Sequence, residues 1–444
     1  MIKKLTFKKM GINGEGIAYL DHKPVFCSGV YPGETALVDI EEDKGSYKKA
    51  VLKKITWYSK ERIRDNYPYA NAEGCPLFNM KYEAQLKYKK ELLAEALYKY
   101  ARVKSHFIRD MHPSKEIYGY RSQCKLPVSE VDGRLVTGMY EPGTNHFVPI
   151  DYSRIHSKDV ETVRTAVLKA LNHAHMHAYE NKTGKGIRYL VIRSIQGKSQ
   201  CTLITGKEEI SKEVIEEIMR IHGMTGLFQS INTEKNTVNI FGSQVKKLAG
   251  EETMTISVQD ITLQLSPRSF YQLNVSQAEN LYEIAVKKTD KCHTLLEAYC
   301  GIGAMSLAAH KKAEQVIGIE SIPDAVKNAQ ENASFNHIHN VQFLCEDAAE
   351  GLYKTASKTD IDILLADPPR SGMDQNMLDA ILKVKPKKII YISCNPATLG
   401  QNLNVLKHQY HVVTIIPYDL FPNTAHVESL TVLERDNYKE GQAH

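Results

Sequence analysis

Apolar and polar positions follow three different rhythms along this 444-residue chain. Residues 1 to about 57 carry short apolar runs broken at close intervals by Gly, Pro and Asp, as in "INGEGIAYLDHKPVFCSGVYPGETALVDIEED", with "SYKKAVLKKITWYS" as the last strands. That punctuation predicts a small, separate β-barrel or sheet. From Met80 to about Lys104, "MKYEAQLKYKKELLAEALYKYARVK" places apolar residues at helical spacing among Leu, Ala, Glu and Lys, and predicts a helix. Residues 116–150 return to strands around the turn signal "VDGR", 157–181 reads as helix, and "IRYLVIRSI" and "QCTLITG" read as paired strands. The stretch 60–265 is therefore mixed α+β.

Beyond residue 290 the runs "TLLEAYC", "QVIGIE", "VQFLC", "IDILLAD" and "KKIIYISC" alternate with helical stretches. Strict alternation predicts a doubly wound parallel sheet covered on both faces. The tail "HVVTIIPYDLFPNTAHVESLTVLER" breaks the rhythm with two consecutive strands, which suggests an antiparallel edge. The fold class is accordingly α/β. The chain divides into a β-barrel at 1–58, an α+β region at 59–265 and a doubly wound, Rossmann-like domain at 266–444.

Composition changes this picture little. No apolar run reaches the roughly 20 residues that span a bilayer, so no membrane role and a cytoplasmic location are expected. The eight cysteines (27, 75, 124, 201, 292, 300, 345, 394) form no C-x-x-C pair, against both a disulfide scaffold and a zinc ribbon. Net charge is +5, but residues 1–60 hold 11 lysines against seven acids, and 81–104 hold seven Lys/Arg against three. A local basic surface is the footprint of a polyanion partner such as nucleic acid, or simply a solvated lysine face.

In a doubly wound sheet the ligand sits outside the carboxyl ends of the strands. The first run ends in "EAYCGIGAM", a glycine turn containing Gly301 and Gly303; the second ends in Glu320, 23 residues after Glu297, where an acid can bind a ribose. The third ends in Asp347, the fourth in "ADPPRSGM" and the fifth in Cys394. Ser306 stands where a dinucleotide fingerprint would need its third glycine, so a nucleoside without a pyrophosphate, such as S-adenosylmethionine, suits the turn better than a nicotinamide. The prolines after Asp367 stiffen the loop that presents it.

Together "SPRSFYQLN", "EAYCGIGAMSLAAH", "VIGIE", "ADPPRSGM", "YISCNPATLGQNL" and "HVESLTVLER" resemble the RNA uracil-5-methyltransferases, and "GEGIAYLDHKPVFCSGVYPGETALVDI" resembles the TRAM domain, an RNA-binding barrel. The resemblance implies a class I, S-adenosylmethionine-dependent enzyme that makes 5-methyluridine in RNA, with 23S ribosomal RNA favoured over transfer RNA, acting as a monomer. It assigns Cys394 as the nucleophile that adds to carbon 6 of uracil, Glu428 as the base for the carbon-5 proton with His426 as its partner, and Asp367 and Arg370 to the uracil edge. Gln272, Tyr299, Gly301, Gly303, Glu320, Asp347 and Asp367 fall to the cofactor. The chemistry favours a thiolate, and the helix after Pro396 is expected to supply positive potential for it. Cys300 reads as a packing residue.

The sequence also departs from that family. Where many members carry four cysteines for an iron–sulfur cluster, this chain keeps Cys75 and has Ala72 and Ser153 at matching places, so no cluster and no metal are expected. His173, His175 and His177 read as a solvated helix end. Two alternatives stand beside the main reading. A cytosine-5 enzyme would need a cysteine after proline on the fourth strand, and a catalytically inactive RNA-binding protein is disfavoured by intact Cys394, Glu428 and Asp367.

Overall fold

The computed structural model describes residues 1–235 and 237–436. β1 (Ile2–Thr6), β2 (Lys9–Met10), β3 (Gly16–Leu20), β4 (Lys23–Cys27), β5 (Thr35–Asp43) and β6 (Lys48–Trp57) form one sheet in the order β1-β5-β6-β4-β3-β2. Its two edges belong to one continuous segment, residues 2–10, so the sheet closes into the small barrel that the close punctuation predicts. Phe7 fills the bend and is fully buried with Val25, Cys27, Val30 and Val38. Gly16 is needed beside it, because a Cβ there would stand 2.6 Å from the carbonyl oxygen of Val30 and 2.9 Å from the Phe7 ring.

The helix predicted at 80–104 is α1 (Tyr82–Ala101), stopped by Arg102, whose left-handed φ of 60° lets its N–H reach the carbonyls of Leu97 and Tyr98. A seven-stranded sheet follows: β7 (Gln123–Val131), β8 (Arg134–Tyr140), β9 (Phe147–Pro149), β10 (Ile187–Ile195), β11 (Lys198–Thr205), β12 (Met224–Ile231) and β13 (Lys246–Gly250), in the order β13-β12-β11-β10-β7-β8-β9. The "VDGR" turn joins β7 to β8 with positive φ at both Asp132 (50°) and Gly133 (71°), as a two-residue hairpin turn requires. α2 (Lys158–His173) and α3 (Lys212–Met219) bury Val160, Val163, Val167, Leu171, Val214 and Ile218 on this sheet. α2 ends eight residues short of the predicted 181, because Ala174 caps it and His175 turns left-handed at φ 53°.

The C-terminal part contains the hairpin β14 (Met254–Val258) and β15 (Ile261–Leu265), then α4 (Val275–Lys288), β16 (Cys292–Ala298), α5 (Ala304–Ala308), β17 (Ala313–Glu320), α6 (Pro323–Phe335), β18 (Val341–Cys345), α7 (Ala348–Ala356), β19 (Ile363–Ala366), α8 (Gln375–Val384), β20 (Lys388–Ser393), α9 (Pro396–Leu406), β21 (Tyr410–Tyr418) and β22 (Glu428–Arg435). The strand order is β18-β17-β16-β19-β20-β22-β21, with the first five parallel. The antiparallel pair expected at the edge is present, but β22 inserts between β20 and β21.

Two segments that the sequence reading assigns to the central region pack on this last sheet instead. Leu93, Leu97 and Ala101 of α1 share a core with Leu399 and Leu403 of α9. The β14–β15 hairpin buries Met254, Ile256, Leu263 and Leu265 in the other core. Along α6, Asn328, Asn332 and Asn336 recur every four residues and bond the edge of β15, as in Gln264 N–H to Asn332 Oδ1 at 2.7 Å and Thr262 N–H to Asn336 Oδ1 at 2.7 Å. No helix among the described residues is long and apolar enough to cross a membrane.

Candidate active site

The chain winds one way from β16 through β17 to β18 and the other way from β19 to β20, so a crevice opens between the carboxyl ends of β16 and β19. A cleft of about 1090 Å³ occupies it. Gln272, Tyr299, Gly301, Glu320, Asp367 and Arg370 line it, and so do Cys394, His426 and Glu428. Residues far apart in the chain thus meet because most of them lie at or just beyond a strand end on this side of the sheet.

On the cofactor side the loop after β16 is conformationally special. Tyr299 holds φ at 65°, a left-handed position uncommon for an aromatic residue, and Gly301 follows at φ 53°. A Cβ on Gly301 would meet nothing within 4 Å, so the glycine leaves space in front of the turn. Glu320 locks the turn by accepting from Gly301 N–H at 3.1 Å and from Ile322 N–H at 3.0 Å. Gly303 serves packing, since a Cβ there would press to 2.5 Å from the Phe343 ring. Asp347 caps α7 through the N–H groups of Ala349 and Glu350; neither Gly303 nor Asp347 lines the cleft, because each is committed to its own helix. Cys300 is buried beneath the loop, with its sulfur 2.9 Å from where a Cβ on Gly318 would stand.

On the opposite side two motifs interlock. Asn395 caps α9 by accepting from Ala397 N–H at 3.0 Å, and its amide donates to the carbonyl of Arg370 at 3.1 Å. The Asp-Pro-Pro-Arg loop is therefore tied to the strand end that carries Cys394. β20 and β22 pair antiparallel as far as Ser393 opposite Ser429, so Cys394, just past the end of β20, and Glu428, the first residue of β22, come to the same end of the sheet and both line the cleft.

The charges in this corner oppose the expected thiolate. Burial, followed by the Glu428 and Asp367 carboxyls, pushes the Cys394 thiol up to about 11, outweighing its own backbone N–H and Arg370. Burial, followed by Asp367, holds Glu428 well above the usual carboxylate range; burial also raises Asp367, and the two titrate as a pair. His426 is lowered to about 4 by burial and then by Arg370, Lys89 and Arg121, so it is neutral near pH 7.

Other cleft residues were not singled out by motif reasoning. Phe270 lies two residues before Gln272 in "SPRSFYQLN" and is 68% exposed at the cleft, where an aromatic face can stack on a base. Arg121 and Arg268 add cations; Glu297 lies outside the cleft lining, fully buried and bonded by Ser306 Oγ, and is raised to about 8 by burial. Phe270 was within reach of a reading that asks which motif residue is aromatic; Arg121, in "GYRSQ", carries no spacing that marks it. The residues that raised a metal question lie elsewhere. Cys75 is buried alone, with its sulfur against the carbonyl of Glu73. His173 and His177 pair with Glu217 and Glu130 at the surface.

Comparison with known proteins agrees with this geometry. The model of the tRNA (uracil-5-)-methyltransferase family matches residues 81–436. A protein of Bacillus cereus described as an uncharacterized RNA methyltransferase is 33% identical over 442 residues, covering 97% of this chain and 96% of its own. A similarly described protein of Caldanaerobacter subterraneus is 33% identical over 448 residues, covering 97% and 98%. The solved structure of the Pyrococcus abyssi tRNA (uracil-54, C5)-methyltransferase in complex with S-adenosyl-L-homocysteine shares the fold, with a TM-score of 0.77 at 21% identity over 97% of this chain and all of that one. With its motifs at the strand ends, a family model matched from the first helix to the last strand and full-length relatives at 33% identity, the chain belongs to the tRNA (uracil-5-)-methyltransferase family.

Proposed function

We propose that this protein methylates carbon 5 of a uridine in RNA through a covalent adduct between Cys394 and carbon 6. The observation that supports this most is that the ends of β20 and β22 bring the Cys394 thiol and the buried Glu428 carboxyl into one cleft, near enough for the carboxyl to raise the thiol. S-adenosylmethionine supplies the methyl group when bound. The residues present suit it: Gly301 leaves room beside the turn, Glu320 offers a fixed carboxylate for ribose hydroxyls, and Tyr299 and Gln272 complete the wall.

Carbon 5 of uracil is a weak nucleophile, and addition of a thiolate to carbon 6 overcomes this by moving the ring electrons onto the carbonyl as an enolate. Arg370 and Asp367 hold the uracil edge and stabilise that charge. Carbon 5 then takes the methyl group, Glu428 in its ionised form accepts the carbon-5 proton, and the electron pair left on carbon 5 re-forms the ring double bond and expels the sulfur of Cys394 as a thiolate. Phe270 stacks on the extruded base.

We favour large-subunit ribosomal RNA as substrate, supported by the lysine-rich barrel with Trp57, Tyr58 and Tyr19 exposed. A transfer RNA is the second reading, favoured by the family description and by the name of the Pyrococcus abyssi neighbour. Mapping 5-methyluridine in both RNA pools of cells with and without the gene separates them. Loss at a 23S site supports the first, loss in transfer RNA supports the second, and no loss anywhere contradicts uracil-5 methylation.

A further inference from the structure

His426 and Glu428 leave a short loop whose carbonyl groups are held one after another by distant segments. The carbonyl of Asp419 accepts from Gln277 Nε2 at 3.4 Å, Leu420 from Asn274 Nδ2 at 3.1 Å, Phe421 from Lys89 Nζ at 3.0 Å, Pro422 from the Tyr120 hydroxyl at 3.1 Å and Asn423 from Leu77 N–H at 2.9 Å. Loops ordinarily leave such groups to water. Here five consecutive ones are assigned to partners between residues 77 and 277. Asn423, left-handed at φ 68°, also exchanges two hydrogen bonds with Gln85.

At the centre is an ion pair: Lys89 Nζ lies 2.6 Å from Asp419 Oδ1, and both side chains are 0% exposed. Desolvation makes such a pair a poor source of net stability, and apolar replacements are often neutral or stabilising. What the pair does is geometric: one ammonium ties α1 to both the start and the middle of the loop.

We propose that Lys89, acting with Asp419, is a positioning residue that sets where Glu428 meets the substrate. This rests on the reading of Cys394 and Glu428 given above, and it has a distinctive kinetic consequence. Glu428 acts after the carbon–sulfur bond has formed and the methyl group has moved, so a displaced loop slows proton removal and elimination while leaving adduct formation intact. The methylated protein–RNA adduct then accumulates. A merely structural pair would reduce the folded fraction and slow every step alike.

The test compares wild type, Lys89→Met and the double variant Lys89→Met/Asp419→Leu, which leaves no buried charge unpaired. Each is incubated with S-adenosylmethionine and with ribosomal and transfer RNA from cells lacking the gene. Folding is followed by thermal unfolding, and adduct by a protein–RNA band that survives denaturing electrophoresis. Both variants are expected to turn over about tenfold or more slowly, to bind S-adenosylmethionine as wild type does, and to show a strong adduct band where wild type shows a faint one. Turnover within about twofold of wild type, slow turnover without adduct, or a double variant that fails to fold would each overturn the proposal. Failure of the wild type to be trapped on RNA containing 5-fluorouridine instead overturns the role of Cys394, a separate result.

Discussion

At the scale of single residues, the surroundings of the site favour the neutral forms of its thiol and carboxyls. Burial and neighbouring carboxyls raise the Cys394 thiol, and burial and Asp367 raise Glu428. The reactive thiolate is thus a minor species whose fraction grows with pH until the thiol's value of about 11. Adduct formation measured at saturating RNA should rise by about tenfold per pH unit between pH 7 and 9; a flat profile would show that the RNA itself lowers the thiol. Glu428→Gln removes the base but not the nucleophile, so turnover should fall by about a hundredfold or more while adduct persists on the gel. Normal turnover would place the base elsewhere. Cys394 stands out in the sequence because it ends an apolar run before Asn-Pro, whereas Glu428 is assigned only through the family resemblance of "HVESL". The raised pKa values are not legible there, because they come from burial and from carboxyls that only the packed strand ends bring together.

At the scale of elements, alternation of apolar runs and helical stretches was enough to foresee five parallel strands, and "VDGR" to foresee a hairpin. Strand order was not legible. Two consecutive apolar runs look the same whether the last strand lies at the edge or inserts, and only hydrogen bonding on both sides places β22 between β20 and β21. That insertion is what brings Glu428 beside Cys394. The asparagine ladder of α6 was equally hidden, since polar residues every four positions read as a solvent face. Asn332 is fully buried, accepting from Gln264 N–H and donating to the carbonyl of Ile302 at 3.2 Å. Asn332→Ala leaves both groups without partners and should destabilise the protein by about 1–3 kcal/mol in denaturant unfolding; an unchanged midpoint would show that the hairpin does not depend on the ladder.

At the scale of the whole molecule, chain order is a poor guide to packing. α1 follows the barrel in sequence yet shares a core with α9, and through Lys89 and Gln85 it reaches the loop that leads to Glu428. The barrel joins the rest through Arg62 to Glu34 and through Tyr31 to the carbonyl of Pro76, and presents Trp57 at 70% exposure. If that face holds RNA, Trp57→Ala should weaken RNA binding by about 1–3 kcal/mol without changing turnover at saturating RNA. Unchanged affinity would remove the barrel's aromatic face from the interface.

The central claim is the covalent step at Cys394, and one trap addresses it. RNA from cells that lack the gene and were grown with 5-fluorouracil carries a fluorine where the carbon-5 proton should leave, so the adduct cannot be resolved. With S-adenosylmethionine, the wild type should form a protein–RNA band that survives denaturing electrophoresis, and Cys394→Ala should form none. A band that persists in Cys394→Ala, or no band with wild type, would contradict the account.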